Sequence, residues 1–157
     1  MSRKALERQG NMINFIDEDG YSDFVSMIGE GFDTGLSEKM KIGKGHVETF
    51  IVQMVSEDWT DRTQGFAVVE IQDKKDGMRG TIRKLWINDG EFGDNADEYA
   101  MALIVNTVNA IREHGAELIS ATADDASVDY FVNSGFDIKN KGRKGTDGKR
   151  IGIQLVF

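Results

Sequence analysis

Cysteine and proline are both absent from the 157 residues, and histidine occurs only twice. Without cysteine there are no disulfides, no thiolate nucleophile and no Cys-based metal site. That suits a reducing compartment and leads to the expectation of a cytoplasmic protein. Without proline, the turns depend on 18 glycines. Long apolar runs are also missing: none approaches the ~20 residues that a membrane-spanning helix needs, so no membrane association is expected. The N-terminal "MSRKALERQGNMINF" follows its basic residues with no apolar stretch, unlike a secretory signal. Acids outnumber bases, 27 to 19, for a net charge of −8. Direct nucleic-acid binding is therefore disfavoured.

What is present suits one globular domain. A hydrophobic content of 39% with 9% aromatics is too high for a disordered chain. Residues 1–11 read as a polar arm and 12–157 as the domain. Charge is unevenly spread. Residues 89–98 hold Asp89, Glu91, Asp94, Asp97 and Glu98 with no base, whereas 139–150, "KNKGRKGTDGKR", hold six bases and one acid. These two segments are complementary and are the expected surfaces for a protein partner or for self-association. The carboxylate spacing in "DGEFGDNADE" does not follow the order of a calcium-binding loop, and no metal is expected.

Hydrophobic periodicity gives the element order. "MINFI" (12–16) is a first strand. Tyr21, Val25, Ile28 and Phe32 recur at helical spacing, predicting a helix over about 20–32 with Ser22 as its cap and a further turn or two from Ser37. "HVETFIVQMV" (46–55), "GFAVVEIQ" (65–72) and "GTIRKLWIN" (80–88) read as three strands, the last two divided by the turn "DKKDG". Residues 97–114 form a long helix with the stripe Ala100, Ile104, Val108 and Ile111, stopped by Gly115. "ELISAT" (117–122) is a short strand. "DASVDYFVN" (125–133) is a short helix with Val128, Phe131 and Val132 inward. "RIGIQLVF" alternates strictly, as a half-buried antiparallel strand does. The sum is a mixed α/β sheet of order β-α-α-β-β-β-α-β-α-β-β. Its parallel pair lies across the helix at 97–114. Phe66, Trp86, Tyr99 and Phe136 are expected in the core.

This order resembles the GNAT superfamily of N-acetyltransferases. "ETFIVQMV…QGFAVVEIQ…GTIRKLWIN" looks like that family's three-strand meander. "IREHGAELISAT" looks like its central helix running into the next strand, and "ASVDYFVNSGFDI" resembles its short helix ending in Gly-Phe. The resemblance implies an acetyl-CoA cleft at the junction "WINDGEFGDNADEYAMALIV", because the first N–H groups of a helix have no partner within it and attract anions. The family's Arg/Gln-x-x-Gly-x-Gly/Ala motif then falls on Asn95, Glu98 and Ala100, of which only Ala100 conforms. A carboxylate at 98 would repel a phosphate charge ~4–6 Å away by roughly 3–4 kcal/mol at an effective dielectric of about 20, before screening.

Other expected site features also depart from the family. The Tyr that protonates the departing thiolate falls on Phe131, with Tyr130 turned about 100° away, and the family's Asn falls on Asp124. His114 reads as a helix-end residue and His46 as a solvated loop residue. Glu70 is a conceivable strand base, but the preferred reading is an outward-facing carboxylate.

These departures lead to the expectation of a non-catalytic GNAT-like scaffold with no catalytic residue and no cofactor, acting through protein contacts. A component of a tailed-phage virion is one such role. One alternative is an acyl-CoA-dependent N-acetyltransferase with a divergent donor site, whose acetyl-CoA cleft would involve Ile87, Asn95, Glu98, Ala100 and Phe131. Another is an acidic binding module that inhibits a nucleic-acid enzyme.

Overall fold

The computed structural model describes residues 11–29, 43–56, 63–88, 96–123, 127–140, 144–145, 148–149 and 151–156. The polar arm at 1–10, Phe32, the turns from Ser37, Asn95, Asp124 and most of the acidic loop lie outside that set.

The first strand, β1 (Asn11–Asp17), runs into a single 3-10 turn at Glu18–Gly20, where the Asp17 carboxylate accepts from Gly20 N–H at 3.0 Å. Helix α1 (Tyr21–Gly29) follows directly. Asp17 thus caps the 3-10 turn that leads into α1, and Ser22, the expected cap, lies inside the helix. Three long strands form the meander: β2 (His46–Ser56), β3 (Thr63–Lys74) and β4 (Gly77–Ile87). The β3–β4 turn is tight enough to need a left-handed residue, and Gly77 takes φ +122° there. Helix α2 (Ala96–Glu113) crosses over to β5 (Leu118–Ala123). Gly115, at φ +82°, ends α2, and the Gly115 N–H returns to the Arg112 carbonyl at 2.9 Å. A short helix, α3 (Val128–Asn133), leads to β6 (Asp137–Asn140), a small ladder of β7 (Lys144–Gly145) with β8 (Gly148–Lys149), and β9 (Ile151–Val156).

The seven-stranded sheet has the order β1-β2-β3-β4-β5-β9-β6, and β4–β5 is its parallel pair. Because β3 is central and covered on both faces, its residues from Thr63 to Gln72 are all buried. The α2 face carries the larger core, with Val52, Val69, Ile82, Leu103, Ile111, Phe131 and Ile153 among its members. The α1 face carries a smaller one of Tyr21, Phe24, Val25, Ile28, Ile51, Phe66 and Val68. The expected stripes on both helices face these cores, although Val132 of α3 is exposed rather than inward. Among the described residues, no helix is long and apolar enough to cross a membrane.

Candidate functional site

The most informative feature of the sheet is where its parallel pair ends. The β4–β5 register runs from Arg79↔Leu118 to Ile82↔Ala121 and stops, while β4 continues to Ile87 and β5 to Ala123. The two strands part like the arms of a fork. At the same level the β3–β4 register slips, from Val69↔Ile82 to Val68↔Lys84, so Arg83 is an extra, bulged residue. A bulge bends a strand and increases its twist, so this one helps to swing the far half of β4 away from β5.

Beyond the bulge, β4 is bonded, among the described residues, to β3 alone. The Asn88 N–H donates to the Gln64 carbonyl at 2.8 Å. Because successive strand residues direct their backbone groups to opposite sides, Ile87 and Leu85 turn theirs toward the open edge. Gly65, opposite Ile87, permits a close fit: an added Cβ would meet Ile87 Cδ1 at 2.8 Å and the Trp86 carbonyl at 3.0 Å.

The expected cleft residues are partly brought together. Ile87, Ala100 and Phe131 belong to one buried cluster, Ala100 at 0% exposure and Phe131 at 1%. Phe131 packs edge-on against Phe136 at 5.2 Å, and Tyr130, one position away, is half-buried against the same core. Glu98 lies instead on the solvent side of the first turn of α2, whereas Ala96 and Ala100 face inward. Acids in a first helical turn stabilise the helix through its dipole, and an exposed carboxylate is well screened. Asp97 and Glu98 therefore have a local role that does not depend on any ligand.

A polar cluster on the α1 face was not foreseen. Glu70 is 0% exposed, not outward-facing. Its carboxylate accepts from the Gly43 N–H at 3.1 Å and from Arg83 at 2.8 Å. Burial pushes this carboxyl up, but the Gly43 N–H, the Arg83 guanidinium and His46 together outweigh burial and hold it below the usual range. His46 is the first residue of β2 rather than a solvated loop residue. Its side chain is 16% exposed, with Nε2 3.2 Å from Glu18 and Nδ1 3.6 Å from Glu70. Gly43 seals the cluster: a Cβ there would run into Gln72, Glu70 and Arg83. In sequence, the available signal was the carboxylate of Glu70 within an otherwise apolar central strand. Without its partners, that carboxylate looked like surface.

His114 ends α2 as expected, with Nδ1 2.8 Å from the Ala110 carbonyl and Nε2 2.8 Å from Glu48, and it stacks on Phe50 at 5.1 Å. A concavity of about 530 Å³ beside it, lined by Phe15, Asp17, Glu48 and Glu113, is far along α2 from the fork.

No family model matches the sequence, and no curated protein does. Solved structures do match. The ribosomal-protein-S18-alanine N-acetyltransferase of Escherichia coli superposes with a TM-score of 0.59 at 16% identity, over 93% of each chain. A GNAT-family acetyltransferase from Streptococcus pneumoniae gives 0.62 at 11%, over 94% of this chain and 99% of that one. The protein has the GNAT fold. The yncA protein of Salmonella typhimurium, described as an acetyltransferase and solved with its cofactor acetyl-CoA, gives 0.59 at 11%, over 94% of each chain.

These neighbours overturn the expectation of a non-catalytic scaffold or virion component. Each is described as an acetyltransferase, and one holds acetyl-CoA. The physical premise of that expectation weakens with them, since Glu98 is at the exposed surface of its helix. In this chain the parallel pair opens, β4 bulges at the fork and the small residue Ala100 is buried.

Proposed function

We propose that this protein is an acyl-CoA-dependent N-acyltransferase with a divergent donor site. One observation carries the reading: β4 leaves β5 after Ile82↔Ala121 and runs on through Arg83–Ile87 with one edge open. A pantetheine arm is a chain of amides, and it can pair with such an edge as an added strand does.

The described residues fit the acyl and pantetheine portion of a CoA thioester. Leu85 and Ile87 would supply the backbone groups, and Ile87, Ala100 and Phe131 the dry wall. The diphosphate end would fall at the N-terminus of α2, whose first N–H groups have no partner within the helix. When bound, the thioester would supply an acyl group already activated for attack by an amine. Phe131 has no proton to give a departing thiolate. A thiol of pKa about 8.5 leaves as an anion tolerably well near neutral pH, so that loss slows the step without forbidding it. Glu70 makes a poor base, because Arg83 and Gly43 stabilise its charged form. Its better role is to anchor Arg83 at the fork.

Calorimetric titration with acetyl-CoA at low salt tests the reading. Saturable one-to-one binding, with thiol release once an amine is added, is expected. A folded protein that takes up no acetyl-CoA would rule the reading out.

A further inference from the structure

The bulge places two consecutive cations on one face of the fork. Thr81 opposes Glu70, and Lys84 opposes Val68, so both lie on the α1 face, while Ile82 between them opposes Val69 on the α2 face. Regular alternation would return Arg83 to the α1 face and send Lys84 away. The extra residue keeps both there, and the 2.8 Å bond from Arg83 to Glu70 confirms the side. Among the described residues one carboxylate, that of Glu70, serves this pair, and Arg83 already takes it. Arg83 remains 37% exposed, with guanidinium donors beyond the one held by Glu70. Lys84 is half-buried and makes no ion pair among the described residues. Above them on the same face, Trp86 stacks on Phe66 at 5.5 Å, and Phe66 meets Phe24 edge-on at 5.4 Å.

A half-buried lysine beside a partly used guanidinium, next to an aromatic wall, is suited to an anion attached to an apolar body. We propose that the acceptor amine belongs to a molecule that also carries a carboxylate, bound by Lys84 and the outer edge of Arg83, with its apolar part against Trp86. Glu70 is the positioning residue: buried and doubly bonded, it sets the direction of the guanidinium. This inference rests on the acyltransferase reading and adds the acceptor class to it.

The test uses matched acceptors, phenylalanine and phenylalaninamide, compared at equal free-amine concentration with acetyl-CoA as donor. The carboxylate member should be preferred at least about tenfold in kcat/KM, the scale of one charge-assisted contact. Lys84→Glu should abolish or reverse that preference, and Lys84→Arg should keep it. Calorimetry without donor should show phenylalanine binding to the wild type and not to Lys84→Glu. Equal use of the two acceptors, a preference for the amide, or a preference unchanged in Lys84→Glu would each overturn the inference while leaving the acyltransferase intact. Failure to bind acetyl-CoA at all would remove the parent reading and this one with it.

Discussion

The two halves of β4 belong to one strand and behave differently. From Arg79 to Ile82 the strand is tied on both edges, to β3 and to β5. It packs so closely under α2 that a Cβ on Gly80 would collide with the Ile111 side chain. From Arg83 to Ile87 only the β3 edge is bonded among the described residues, and the α1 face carries charge. One bulged residue separates a half bonded on both edges from a half bonded, among the described residues, on one. Within a single strand, the change in bonding comes from a slip in register.

Three substitutions would break or sharpen this contrast. The largest effect is expected at the boundary. Arg83→Met leaves the buried Glu70 carboxylate with the Gly43 N–H and no cation bonded to it, which should cost about 3 kcal/mol at pH 7 by urea unfolding. The sign with pH is specific. In the wild type, Glu70 titrates below its ordinary value of about 4.3, so its contribution is complete above that pH and is lost as pH falls through the folded pKa. In Arg83→Met, burial is opposed by the Gly43 N–H and His46 alone, so the carboxyl should titrate higher than in the wild type and the loss should shrink as pH falls from 7 toward 5. An equal loss at both pH values would show that the pair is not what holds the bulge.

Next is Gly80→Ala, expected to cost about 1–3 kcal/mol by forcing Ile111 and α2 outward. Because the damage lies in the closed half, acetyl-CoA affinity should fall far less than stability. A parallel collapse of the two would mean that the halves are not separable. The smallest effect is expected at His114→Ala, where an exposed pair with Glu48 and a helix-end contact are lost. Thermal unfolding should register under about 1 kcal/mol, and titration should find donor binding unaltered.

Much of the architecture was legible from periodicity. Tyr21, Val25 and Ile28 mark the inner face of α1, Ala100, Ile104 and Ile111 that of α2, and Ile153 and Leu155 the inward side of β9. Gly115 and the Gly-Phe after α3 punctuate the chain where expected, with Gly135 at φ +99°. The site was less legible, because its features are made by contacts distant in sequence. Nothing in "TIRKLW" announces that Arg83 is an extra residue, since a bulge exists only relative to a partner strand. Glu70 resembled a solvated strand carboxylate until Gly43 and His46 from one segment and Arg83 from another closed around it. Counting placed Glu98 at a phosphate-binding position, but counting does not say which way a helical side chain faces. It faces solvent, and the acids of that turn serve the helix.

Amide hydrogen exchange with and without acetyl-CoA tests the open half of β4 most directly. At saturating donor, the amides of Leu85 and Ile87 should slow by at least about tenfold, while those of Arg79–Ile82 keep their rates. Unchanged exchange at Leu85 and Ile87 under those conditions would contradict the claim that this edge receives the donor.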